Sequence, residues 1–156
     1  MPNDSSLSAI SSFLAKGKPT LQQIQEDPNL IRTMLDVDRT PEVCLATVSL
    51  DGHLIRHLTK AQRSPEVITA AVRQKGYAIK HLSTQERTPE LWMIALTSSR
   101  FTIEHLEPQD VKQPGAEELH EYLGSHWEQF VNILGEARAT EIGKAILETR
   151  AHGADS

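Results

Sequence analysis

An all-α chain built on a tandem repeat is predicted by three observations. A short motif returns at a fixed interval, each copy opens with helix-starting residues, and the apolar content is aliphatic rather than aromatic. Thr40-Pro41-Glu42-Val43 recurs as Ser64-Pro65-Glu66-Val67 and as Thr88-Pro89-Glu90-Leu91, each 24 residues after the last. Further along the same frame, Leu54-Ile55-Arg56-His57-Leu58 matches Ala78-Ile79-Lys80-His81-Leu82 and Thr102-Ile103-Glu104-His105-Leu106, with a degenerate earlier copy in Leu30-Ile31-Arg32-Thr33-Met34. Self-similarity at a period of this order is the mark of a stacked repeat array, in which no single copy buries its own apolar face. The expected architecture is a short α-solenoid of 24-residue helix-turn-helix repeats, with an N-terminal capping helix and a C-terminal helical hairpin.

Each copy explains its own first helix. Thr40, Ser64 and Thr88 stand as N-caps, whose hydroxyls accept from the free N–H groups of the first turn, and proline follows at the one helical position where a missing donor costs nothing. Glu42, Glu66 and Glu90 then lie at the positive end of the helix dipole. Val43, Ala46, Ala70, Ala71 and Val72 supply an apolar stripe at helical spacing. Gly52 and Gly76 are expected to end this helix in a backbone conformation that other residues resist, and Arg100, their counterpart in the third copy, predicts a different turn there.

Residues 1–18 form the expected N-terminal segment: Leu7, Ile10, Phe13 and Leu14 share one helical face and Gly17 offers a stop. The array follows over residues 19–106. Glu107 to Gly115 contains Pro108 and Pro114 and reads as a linker over 107–115. The hairpin covers 116–152. Its first arm, Ala116 to Leu134, carries the stripe Leu119, Tyr122, Leu123, Trp127, Phe130, Val131 and Leu134, interrupted at Gly124-Ser125. Gly135 is a stop, and Ile142, Ile146 and Leu147 mark a last helix ending before Gly153.

The segment from Pro65 to Ile79, Pro-Glu-Val-Ile-Thr-Ala-Ala-Val-Arg-Gln-Lys-Gly-Tyr-Ala-Ile, resembles a bacterial helical-repeat domain of unknown function, the 4116 family, whose units share an acidic-x-E-V-V-x-x-A-V-x-x-x-G-x-A-L pattern. The copies at 40–63 and 88–106 match it in part. The 24-residue period with its Thr-Pro-Glu-Val head also resembles leucine-rich variant repeats, which alternate α and 3₁₀ helices. Both resemblances imply an all-α solenoid, and neither implies a chemistry.

Length and composition bound the function. With 156 residues there is room for one domain or a short capped array. Hydrophobic residues at 38% supply a core, and aromatic residues at only 4% leave it to Leu, Ile, Val and Ala. Cys44 is the single cysteine, which removes an internal disulfide and any multi-thiolate metal site. No signal peptide or membrane helix is legible, so a cytoplasmic protein is expected. The net charge of −5 hides an asymmetry: residues 30–87 carry nine Lys or Arg against six Asp or Glu, and residues 88–156 carry five against twelve.

Three ladders are the candidate sites. His57, His81 and His105 recur at one position, but repeats stacked about 10 Å apart cannot bring three ligands within about 2.1 Å of one metal. Arg32, Arg56 and Lys80 recur at the position before, and Arg39, Arg63 and Arg87 recur just ahead of each N-cap. Lined up on an array, these cations suit an acidic polypeptide or a phosphate backbone, although the pre-cap arginines can equally pair with Glu42, Glu66 or Glu90. Trp92 and Trp127 are contact residues if exposed and core residues otherwise. His120-Glu121-Tyr122-Leu123-Gly124 opens like a zinc-protease signature, yet its fifth residue is Gly, so the second ligand is missing. Cys44 stands where Ile68 and Trp92 stand in the other copies, a packing position. No phosphate loop, nucleophile elbow or paired catalytic carboxylate is visible.

The expectation is therefore a non-catalytic protein-binding repeat protein with no cofactor and no metal, for which the role of an inhibitor or an immunity or anti-defence protein would fit. The alternatives are a protein that binds or imitates nucleic acid, and an uncharacterised enzyme.

Overall fold

The computed structural model describes Leu7, Ile10 and residues 19–154, with the side chain of Ala154 left out. Leu7 and Ile10 are helical, and the rest of the expected N-terminal capping helix, Phe13, Leu14 and Gly17 included, lies outside the described residues.

Every regular element among the described residues is helical. The α-helices are α1 (Leu21–Glu26), α2 (Pro41–Leu50), α3 (Pro65–Gln74), α4 (Pro89–Ser98), α5 (Glu117–Ser125), α6 (Trp127–Leu134) and α7 (Glu136–Ala154). Between them run the 3₁₀ helices η1 (Pro28–Thr33), η2 (Asp36–Asp38), η3 (Gly52–His57), η4 (Lys60–Gln62), η5 (Gly76–His81), η6 (Arg100–His105) and η7 (Pro108–Lys112). The starts of α2, α3 and α4 fall 24 residues apart, as do those of η3, η5 and η6. The second helix expected in each copy is thus 3₁₀, six residues that stay tight because an extended residue follows at Leu58, Leu82 and Leu106. No described helix is long and apolar enough to cross a membrane.

The caps work as their sequence requires. Thr40 Oγ1 accepts from Val43 N at 3.3 Å, Ser64 Oγ from Val67 N at 3.3 Å and Thr88 Oγ1 from Leu91 N at 3.2 Å. Burial follows the same frame. Ile24, Val48, Val72 and Leu96 share one repeat position and are all sealed from solvent, as are Ile31, Ile55, Ile79 and Ile103 at a second. A fully buried aliphatic side chain contributes about 1.5–3 kcal/mol, so each residue of these two rows adds a stabilising term of that size.

The glycines act differently from the expectation. Neither Gly52 nor Gly76 has a positive φ; the residue before each, Asp51 at φ −145° and Lys75 at φ −150°, carries the extended turn. A Cβ on Gly52 would overlap the carbonyl oxygen of Ala71, and one on Gly76 would stand 2.8 Å from that of Ala95. Close approach of the following α-helix is therefore what demands glycine. Arg100 begins η6 through the same turn, with Ser99 at φ −153°, so the third turn does not differ. Its side chain is exposed.

The chain forms two compact units, Met1–Gln74 and Lys75–Ser156. In the first, α1, α2 and α3 pack in succession with η1 and η3 alongside. Gln74 ties α3 to the preceding turn, accepting from Gly52 N at 2.7 Å and donating to Leu50 O at 3.1 Å.

In the second unit α4 is flanked by η5 and η6, and α5, α6 and α7 follow. The expected linker is instead η7, with Asp110 and Val111 buried against α7. The expected first arm of the hairpin is two helices, broken at His126, whose ring Nδ1 donates to Tyr122 O at 2.9 Å and whose ring lies 4.4 Å from the Tyr122 ring. Gly135 stops α6 with φ +83°, as its position demands. The last helix runs through Gly153.

Candidate partner-binding site

Arg39 and Arg87, two of the three pre-cap arginines, turn inward. Arg39 Nη1 donates to His57 O at 2.7 Å and Arg87 Nη1 to His105 O at 3.0 Å, so each guanidinium satisfies the last carbonyl of a 3₁₀ helix. Arg39 also lies 3.3 Å from Asp36, and Arg87 Nε lies 3.6 Å from Asp110. Their carboxylate partners are thus not Glu42, Glu66 or Glu90. Arg63, at the same position, is half-buried. As donors to the carbonyls that end η3 and η6, Arg39 and Arg87 serve the fold, and a partner cannot reach the buried Arg87.

Asp110 is the residue missed by the sequence reading. It has no solvent exposure and accepts from Glu107 N at 2.8 Å. Burial pushes its carboxyl above the ordinary value, while the Glu107 N–H, Arg87 and the Trp92 indole draw it back. Its signal was present: Gln62, Glu86 and Asp110 follow one another in the 24-residue frame, and Gln62 Oε1 lies 3.5 Å from Arg39 Nη1. Gln113, also missed, donates to Arg87 O at 2.7 Å and Thr84 O at 3.2 Å.

Trp92 is fully buried with the Arg87 guanidinium 5.7 Å from its ring centroid, so it is core and not a contact residue. His120 is buried with Nε2 2.6 Å from Val111 O, which makes it a tie between α5 and η7 rather than a metal ligand. No group of three His, Cys, Asp or Glu among the described residues could hold a metal ion. Cys44 is buried, and burial pushes its thiol up, away from nucleophilic reactivity. Trp127 lies half-exposed against Gly143, in an open groove of about 400 Å³ with His120, Gly124, Ile146 and Leu147.

Arg32, Arg56 and Lys80 remain on the surface, all three exposed. In the first unit Arg32 lies in the last turn of η1 and Arg56 in the last turn of η3, two elements that pack together. His57 lies half-buried between their charges: Arg56 Nε donates to its Nε2 at 3.2 Å. Burial first, then Arg56, Arg32 and Arg39, hold its ring below the ordinary value near 6.5. In the second unit burial and then Lys80 lower His105, with Glu104 opposing and Arg87 and Arg138 adding to the fall. Tyr77 meets the His105 ring edge-on at 6.0 Å. His81 is half-buried.

Comparison with family models, curated proteins and solved structures finds no match to the chain.

Proposed function

We propose that the chain is a short α-solenoid that works as a non-catalytic binding protein, with an acidic polypeptide as its partner. The alternation of α and 3₁₀ helices at a constant period, and the rows of equivalent buried residues, support a solenoid of the kind the leucine-rich variant resemblance implies. The observation that carries the binding reading is the exposed pair Arg32 and Arg56, which crowd His57 with positive charge and are held in no ion pair among the described residues. An unneutralised cationic surface of this kind attracts and orients acidic chains.

A nucleic-acid partner fits less well. Arg39 and Arg87 are committed to carbonyls and carboxylates, which leaves a single cation position that recurs exposed in the 24-residue frame, that of Arg32, Arg56 and Lys80. Duplex DNA presents a charge about every 1.7 Å of axis and is bound through many phosphates at once.

The test is fluorescence anisotropy with a glutamate-rich peptide and a duplex oligonucleotide, at low and at high salt. Peptide binding that weakens with salt and disappears in Arg32→Glu/Arg56→Glu is expected. Preference for the oligonucleotide, or binding indifferent to the charge reversal, would overturn the reading.

A further inference from the structure

We propose that docking of an acidic chain on the Arg32–Arg56 surface is coupled to uptake of one proton by His57, so that the affinity rises as the medium becomes mildly acidic. The inference rests on the proposed function above and adds a regulatory property to the same surface.

The geometry around His57 leads to it. The Arg56 Nε–H points at His57 Nε2 across 3.2 Å, and a guanidinium can only donate, so Nε2 is the lone-pair nitrogen and the ring is neutral. Three cations of the same unit act on the ring from three places in the chain: Arg32 from η1, Arg39 from the residue after η2, and Arg56 from its own η3. The carboxylate of Asp36 is paired with Arg39 at 3.3 Å. At the corresponding His105 the pattern differs, because Glu104 opposes Lys80, Arg87 and Arg138. Of these two histidines, His57 is the one on which burial and cations act with no opposing carboxylate.

A carboxylate arriving between Arg32 and Arg56 changes both conditions. It screens the positive field, and by engaging the Arg56 guanidinium it draws away the donor that occupies Nε2. The freed lone pair then takes a proton from solvent, and the imidazolium presents an N–H to the incoming carboxylate as a third cationic contact. By linkage, a proton taken up on binding means tighter binding at lower pH, with a limit of about tenfold in affinity per pH unit for one site. The sign is opposite to that of the partner's own carboxylates, which weaken binding as they protonate near about pH 4.3. A window from pH 7.5 down to 5.5 keeps the two apart.

The experiment is titration calorimetry of the full chain with a glutamate-rich peptide at low salt, at pH 7.5 and 5.5, each in two buffers of different ionisation enthalpy. The wild type is expected to bind about tenfold tighter at pH 5.5, with close to one proton taken up. His57→Gln, which keeps an acceptor for Arg56, is expected to bind equally at both. NMR titration of the His57 ring with and without peptide supplies a reading independent of any variant: its midpoint is expected to rise on binding. Equal wild-type affinities, an acid-tightened His57→Gln, or an unmoved midpoint would each overturn the coupling while leaving peptide binding intact. Absence of peptide binding at both pH values would overturn the proposed function and the coupling together.

Discussion

Arg39 and Arg87 hold the same place in the repeat and make the same bond, each giving Nη1 to the carbonyl of the histidine eighteen residues on. Their surroundings are unlike. Asp36, beside Arg39, has a side chain 67% exposed, and the Arg39 side chain is 10% exposed; Asp110, beside Arg87, is fully sealed and the Arg87 side chain is 8% exposed. One repeat position therefore supports two kinds of ion pair. The partner near Arg39 is solvated and weakly held, whereas the pair near Arg87 has given up its water on both sides. A sealed pair adds little net stability when intact but is costly to break, because the remaining charge is stranded.

The largest expected effect tests this contrast. Arg87→Ala strands Asp110 and should destabilise the chain by about 3–5 kcal/mol, whereas Arg39→Ala loses one bond to a carbonyl and should cost about 1 kcal/mol. Urea unfolding midpoints measure both, and equal costs would break the comparison. A second contrast separates the turns: Gly52→Ala and Gly76→Ala should each cost about 1–3 kcal/mol by forcing a methyl onto a neighbouring carbonyl, while Arg100→Ala should stay within about 0.5 kcal/mol. Thermal melts would show whether the third turn is as free as the exposed Arg100 implies.

The two regions also differ in how stability responds to pH. His57 and His105 are held below the ordinary value of 6.5, so the unfolded chain binds more protons there. Their contribution is present above pH 6.5 and lost as the pH falls through the lowered native values. Asp110 is raised above 3.8, which gives the reverse: its contribution is full below that value and lost as the pH rises through the raised one. His57→Gln should flatten the stability profile just below pH 6.5, and Asp110→Asn the profile above 3.8. Unfolding midpoints across the acid range check both signs. The smallest effect belongs to the exposed pair, where Arg32→Ala or Arg56→Ala should change stability by less than about 0.5 kcal/mol, while both weaken binding of a glutamate-rich peptide. A large loss of stability would assign these residues to the fold.

Much of the fold was legible because caps and buried rows repeat. Thr-Pro-Glu marks a helix start wherever it occurs, since a hydroxyl, a missing donor and a negative charge are all local requirements. The 3₁₀ character of the second element was less plain, because six residues give too short a window for periodicity to separate one helix type from another. Pro108 and Pro114 suggested a linker over residues 107–115, yet Glu107-Pro108-Gln109-Asp110 closes its own turn and buries the carboxylate beneath Arg87. Among the candidate site residues, sequence could list the cations but not sort them, since Arg39, Arg56 and Arg87 are alike as letters.

What the sequence determined by itself is therefore the frame: the 24-residue period, the helix starts at Pro41, Pro65 and Pro89, and the positions that face the core. Those properties depend on neighbours within one or two turns. The tertiary structure decided which arginines are spent on carbonyls, why glycine stands at 52 and 76, and which surface keeps its charge. These depend on where a carbonyl or carboxylate some twenty residues away comes to rest. Hydrogen bonds and close contacts act over a few ångströms, and only the folded chain sets that distance.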